Sequence, residues 1–448
     1  MKQRFFIATF TLLLATSSFA QYFKTDPSFD PTKRPKQLTD SALLDLVQKQ
    51  TFRYFWDFAH PVSGMSRERS NATFGYGDEV VTTGGTGFGV MSVIVAVERK
   101  WIGRDTAARF LLKTVNFLLK ANSYHGVFPH WMDGATGKTI PFSRKDDGAD
   151  LVETSYLFQG LLCARQYFNG TSQVERELRS RINWMWPDIE WKWFTQGQDV
   201  LYWHWSPNNG WAMNFPVRGF NECLIMYILA ASCPNEKYQV SSSVYHGGWA
   251  QSNFFKNGKE FYGIKLPLGF DYGGPLFFSQ YSFLGLDPRR LKDEYADYWE
   301  QNRNHTLINR EHCVRNPKNY KGYGADCWGL TSSDTYNGYA GHSPTEDLGT
   351  ISPTAALSAF PYTPEYSMQA LKHFYFDLGD KIWSEYGFVD AFNGSKNWVA
   401  GSHLAIDQGP IIVMIENYRS GLLWKLFMSC PEIKTGLKKL GFTSPAIK

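Results

Sequence analysis

Residues 146–159 read DDGADLVETSYLFQ, and the reading of this stretch decides the fold. A helix from about Asp146 would place Asp146, Asp150 and Glu153 at i, i+4 and i+7, on one face at about 3.6 residues per turn. The other side carries Leu151, Tyr156, Phe158, Leu161 and Leu162. A row of acids on a helix otherwise fit for a core has the form of an acidic active-site wall. The plainer alternative is a helix N-terminus, where acids offset the macrodipole.

Working outward, apolar positions recur at the helical period along most of the chain. The pattern predicts helices at 41–59, 87–100, 104–121, 146–168, 172–194 with a break at Pro187, 221–231, 238–254, 275–284, 292–307, 353–360, 364–378 and 410–428. Long loops rich in glycine and aromatics separate them, notably 61–87, 124–140, 202–220 and 317–343. Loops of that length inside a compact domain usually carry function. Little reads as strand. Residues 37–448 are expected to form a single all-α catalytic domain, an (α/α)6 toroid whose long loops gather at one end and line a cleft. A solenoid is the competing helical architecture, but no fixed-period repeat supports it.

Residues 1–20, MKQRFFIATFTLLLATSSFA, have a basic start, an apolar run and small residues at the end. They read as a signal peptide cleaved after Ala20, so a periplasmic or secreted protein is expected. Residues 21–36 hold Pro27, Pro31 and Pro35 and read as an extended lead-in. Removing Lys2 and Arg4 takes the formal net charge from +4 to +2. No basic tract remains to bind nucleic acid. No other run is long enough to span a bilayer. The six cysteines lack CxxC spacing. Cys163 and Cys223 fall in apolar runs and read as buried thiols, and Cys313 with Cys327 is a candidate bridge. With 16 Trp and 24 Tyr, the composition suits a protein that stacks sugar rings. A monomer is expected.

Glycosidic cleavage needs one carboxylic acid to protonate the leaving oxygen and a second carboxylate to activate water or attack the sugar. Asp146, Asp150 and Glu153 come from one element. Glu222 comes from another, behind the tryptophan-rich loop 202–220, and two elements can face each other across a sugar. Glu222 is therefore the expected proton donor. A neighbouring Trp205 or Trp211 would exclude water and raise its pKa. Asp407, before the last helix, is a weaker candidate base, or an N-terminal helix charge. Trp131, Trp203, Trp205 and Trp211 are candidate sugar platforms or core residues. His130, His204 and His342 are candidate donors to sugar hydroxyls, or structural. No HExxH, GxSxG or P-loop pattern occurs, and GGTGFG at 84–89 shows no preceding strand pattern or acid partner in the sequence, so no dinucleotide fold is expected. No metal or cofactor is expected.

Six strings occur in order: RYFWDFAHPVSGMSRER at 53–69, TTGGTGFGVM at 82–91, HGVFPHWMDGATG at 125–137, DDGADLVETSYLFQGLL at 146–162, WHWSPNNGW at 203–211 and GFNECLI at 219–225. By these the chain resembles the exported bacterial "glucoamylase-like" proteins of glycoside hydrolase family 144, across most of its length. The resemblance implies an (α/α)6 barrel and inverting hydrolysis of β-1,2-glucan, either endo or exo with release of sophorose. It also implies an acidic cluster at Asp146, Asp150, Glu153 and Glu222. Inversion would put acid and base roughly 6.5–9.5 Å apart, retention ~5 Å. Two other readings stand beside it: an α-glucan hydrolase, as the glucoamylase name suggests, and a binding protein whose acids only hold hydroxyls.

Overall fold

A computed structural model describes residues 29–70 and 79–447. The expected signal peptide lies outside the described residues, as does the first half of the lead-in. The last lead-in residues make a 3-10 turn, Pro31–Lys33, rather than an extended strand. Arg34 then anchors the chain by donating to the Tyr375 carbonyl, 2.8 Å.

The chain is helix-rich. In order, the α-helices are α1 Asp40–Trp56, α2 Thr83–Glu98, α3 Arg104–Leu118, α4 Leu151–Tyr167, α5 Gln173–Met185, α6 Leu224–Ser232 and α7 Tyr298–Arg315. They continue as α8 Pro353–Leu357, α9 Pro364–Lys372, α10 Gly379–Ile382, α11 Ala405–Arg419, α12 Leu422–Met428 and α13 Pro431–Lys439. The helices divide by pattern. In α2, α4, α6 and α11 nearly every residue is buried, so these helices have no solvent face. By contrast α3, α5 and α13 bury a single stripe and leave charged residues outside. The buried helices pack on one another, α2 between α4 and α11, and the amphipathic ones lie against them, α3 on α2, α5 on α4 and α13 on α6. An inner set of helices is thus sheathed by amphipathic ones.

Glycine sets the closest approach. A Cβ on Gly87 of α2 would lie 2.6 Å from the Leu157 Cα of α4, and one on Gly160 would lie 2.8 Å from the Gly87 carbonyl carbon. Backbone therefore meets backbone where α2 crosses α4.

Several boundaries differ from expectation for local reasons. The acid-bearing helix begins at Leu151, not Asp146. Asp150 is its N-cap and accepts from the Glu153 amide at 2.9 Å. Asp146 therefore precedes the helix and does not share its face. Residues 149–150 instead pair antiparallel with 204–205, with Asp150 opposite His204. The helix expected at 238–254 shrinks to a π-helical segment, Val244–Ala250, that contains Gly247 and Gly248. The expected 410–428 helix is divided at Gly421, φ 68°, into α11 and α12. Strands are more frequent than expected but short. Val80–Thr82, Trp131–Asp133 and Thr139–Ile140 form one antiparallel sheet, and Ser332–Thr335 pairs with Gly338–Gly341 as a hairpin. All six cysteines are free, buried thiols, so Cys313 and Cys327 are not bridged.

Candidate active site

The two-residue ladder between 149–150 and 204–205 builds the first half of the site. It brings the acidic stretch and the tryptophan-rich loop together although they lie far apart in sequence. Asp150 is fully buried and fully hydrogen-bonded. Its Oδ1 accepts from the Trp203 indole N–H (2.9 Å) as well as from the Glu153 amide, and Oδ2 meets His130 Nδ1 at 2.9 Å. Burial, the largest influence, pushes its pKa up. The hydrogen bond from His130, the His130 and His204 charges and the helix amide together outweigh burial and hold Asp150 below the usual carboxylate range. Asp150 therefore stays ionised inside the protein.

Its neighbours shift the other way. Burial and the Asp150 charge push Asp146 up to about 7. His204 Nε2 lies 3.3 Å from Asp146 Oδ2, and burial lowers the His204 pKa. Glu153 is raised by burial, although the Gly84 amide donates to its Oε2 at 2.8 Å. For His130 burial opposes the charge, but Glu153, Asp150 and Asp146 overcome it and push the imidazole up to about 9. At neutral pH His130 is a cation seated among three acids. His130, Asp146 and Asp150 each present one atom within 4.8 Å of the others, the spacing of a metal site. His130 Nδ1 is engaged by Asp150 Oδ2 at 2.9 Å, a hydrogen bond that an ion at this nitrogen would have to replace.

Glu222 lies two residues before α6, in a turn whose carbonyl accepts from the Ser282 hydroxyl. It is buried, and its Oε2 has no hydrogen-bond partner among the described residues. Burial pushes it up to about 7, with a further contribution from the Glu153 charge. Trp205 and Trp211 pack on Trp193, at 5.4 and 4.7 Å between ring centroids. Trp203 is a hydrogen-bond donor to Asp150 and stacks on His204, 5.4 Å at 10°. Of the four expected platforms Trp131 alone lines the cavity described next.

That cavity, about 390 Å³, is walled by Glu153, His130, Trp131, Phe142, Glu68, Arg69, Phe277, Tyr281 and Tyr339 among others. Its far side holds a second acidic group. Arg69 reaches Glu68 at 2.9 Å and Asp334 at 3.1 Å. Asp390 accepts from the Asp334 amide at 2.7 Å, and Asp407 accepts from the Tyr281 hydroxyl at 3.3 Å. Asp390 Oδ1 and Asp407 Oδ2 are buried without an ordinary donor among the described residues. The Asp407 charge adds to burial in raising Asp390, so the buried pair shares a proton. Burial raises both, Asp390 well above the usual range and Asp407 to about 7. Asp407 is thus half of a pair rather than a lone helix-end charge. His342 is buried, and burial lowers its pKa to about 4, so its ring is neutral. Asp334, Asp390, Tyr281 and Tyr339 were not singled out from the sequence as site residues. The signal that was available is Tyr336-Asn337-Gly338: the first two residues make the hairpin turn and Gly338 opens the return strand, which places Asp334 and Tyr339 opposite each other.

A family model described as "Glycoamylase: Putative glucoamylase" matches residues 214–431. A Bacteroides uniformis protein with the same glucoamylase description is 61% identical. Its crystal structure matches with a TM-score of 0.90, covering 92% of this chain and 100% of that one. The chain belongs to this family, glycoside hydrolase family 144. Within the family, the endo-β-1,2-glucanase of Chitinophaga pinensis, solved with sophorotriose and glucose, is 56% identical at a TM-score of 0.89, covering 92% and 100% of the two chains. An exo β-1,2-glucooligosaccharide sophorohydrolase of Parabacteroides distasonis is 44% identical over 425 residues, 90% of this chain. The present chain spans 58% of the length of that relative.

Proposed function

We propose that this protein hydrolyses β-1,2-glucan by an inverting acid/base mechanism, with Glu222 as the proton donor. The observation that carries the reading is the contrast between two acids. Glu222 keeps its proton to about pH 7 and has an oxygen free of partners among the described residues, whereas Asp150 is held ionised nearby in the chain of acids. Two carboxyls with pKa values pushed apart are what an acid and a base require. In the reaction the Glu222 proton passes to the leaving glycosidic oxygen as its bond to C1 breaks. A water oxygen bonds to C1 from the opposite face, and its proton enters the Asp146–Asp150–Glu153 cluster. Glu153 is the member of that cluster that lines the cavity. The His130 cation steadies the negative charge there, and Trp203 fixes the Asp150 carboxylate. Product release and proton exchange with water restore Glu222. The substrate assignment is supported by the likeness to β-1,2-glucan enzymes of known activity.

The inner and sheathing helices support an (α/α)6 toroid in one catalytic domain, and the leader-like residues 1–20 support export to the periplasm or beyond. The test is incubation of the protein, without residues 1–20, with linear β-1,2-glucan and with starch, following products and their anomeric form. Oligomers or sophorose of inverted configuration from β-1,2-glucan are expected. A ladder denotes endo action and sophorose alone denotes exo action. Glucose from starch alone, or binding without cleavage, overturns the proposal.

A further inference from the structure

A line of aromatic rings leaves the cavity and runs to the surface. It starts at Phe277, which lines the cavity, and steps to Phe278 at 4.8 Å, to Phe270 at 6.1 Å and to Phe254 at 5.1 Å. The last two rings are stacked at 22° and exposed, Phe254 by 63% and Phe270 by 38%. Neither adds much to the core. Phe254 also sits in the left-handed region, φ 64°, which a bulky residue seldom adopts. Backbone strain and exposed apolar surface both work against stability, and where they coincide they mark a site kept for use.

The turn that carries Phe254 is tied to the catalytic segment. The Phe254 carbonyl accepts from the Phe220 amide at 3.2 Å, two residues before Glu222, and the Ser252 hydroxyl accepts from the Gly219 amide at 2.8 Å. The Phe270 turn is fixed to the same loop by the Gly269 amide on the Phe255 carbonyl, 2.8 Å. Whatever rests on these rings is therefore held in register with Glu222. The rim beside them is polar. Lys259 and Asp271 pair at 2.9 Å, both well exposed, and Asn257 donates to Asp271 at 3.2 Å. Flat rings beside hydrogen-bonding side chains suit a pyranose, whose C–H face meets the negative face of the ring while its hydroxyls meet the rim.

We propose that Phe254 and Phe270 form a distal sugar-binding platform that holds a glucosyl unit of a long substrate chain, several units from the bond that is cut. This rests on the β-1,2-glucan reading above, and it predicts a dependence on chain length. The test compares wild type, F254A/F270A and F254W on β-1,2-glucan polymer and on the shortest β-1,2-oligosaccharide that is cleaved. For the double variant KM on polymer should rise about tenfold, the loss of roughly one aromatic contact. Its kcat, and both constants on the short substrate, should stay at wild-type values, the pattern of lost uniform binding. F254W should keep wild-type KM on polymer. An unchanged ratio of kcat/KM between polymer and oligosaccharide in the double variant overturns the platform. So does a change from dimer to monomer in sedimentation, which would make the pair a contact between copies. Wild type that cleaves neither substrate defeats the functional reading itself, a result distinct from either.

Discussion

Replacing Glu222 by Gln should abolish hydrolysis and, at the same time, stabilise the protein above neutral pH. In the unfolded chain the carboxyl titrates near its ordinary 4.5, and in the folded protein near 7. At pH 4 both states hold the proton and the group contributes nothing to the difference. As pH rises from about 4.5 the unfolded state loses its proton first, so the wild-type fold weakens. The loss is about 1.4 kcal/mol per pH unit and is complete near pH 7, about 3 kcal/mol in all. The side-chain amide in E222Q does not titrate, so the variant escapes this loss. With an unfolding entropy of about 2 cal/mol/K per residue, the gain in Tm at pH 8 is about 3 °C for a chain of this size. Calorimetric melting of both proteins at pH 4.5 and pH 8 is the assay, alongside hydrolysis of β-1,2-glucan on the same preparations. Activity should fall by about 10²–10⁴, the usual contribution of a general acid. A Tm difference that is the same at both pH values would refute the burial argument. Retained hydrolysis would refute the donor assignment.

Three further outcomes follow from the same geometry. Trp203→Phe keeps the ring but removes the N–H on Asp150. It should cost about 1.5–3 kcal/mol in urea unfolding at pH 7 and shift the acid limb of the activity profile upward. Asp390→Asn gives Asp407 a permanent donor in place of the shared proton and removes the repulsion between two acids. The variant should therefore lose less stability than wild type as pH rises through 7, read as Tm against pH. Gly87→Ala pushes α2 off α4 and should lower stability by about 1–3 kcal/mol. It should also lower kcat, because the Gly84 amide on Glu153 moves with α2.

Much of the frame was legible because it depends on local pattern. The amphipathic α1 and α3 lie within a few residues of their expected bounds, and the ordered strings contain Asp146, Asp150, Glu153 and Glu222. The acidic helix starts later than the spacing of its acids predicts because residues 149–150 are drawn into a ladder, and Asp150-x-x-Glu153 is itself an N-cap signature. What could not be read locally was the ladder that sets Trp203 and His204 on Asp150, since a two-residue pairing leaves no periodicity. The Asp334–Asp390–Asp407 group was hidden for a similar reason. Its members come from a hairpin, a loop and a helix, and only tertiary packing brings them to one wall. Trp205 and Trp211 looked like sugar platforms by residue type, but Trp193 is near enough to engage both rings first.

The six sealed thiols bear on how the molecule fails rather than on how it works. Folded, each is shielded from oxidants, and burial pushes thiols such as Cys163 and Cys430 up, the latter to about 12, so reactive thiolate is scarce. Unfolded, each returns to about 8.5 and meets its neighbours freely. In an oxidising medium a disulfide formed during an opening would then trap the chain, since the folded protein pairs none of its thiols. Lifetime there is set by the barrier to opening, not by the depth of the folded well. Heating should be one-way in air and reversible with a reductant present.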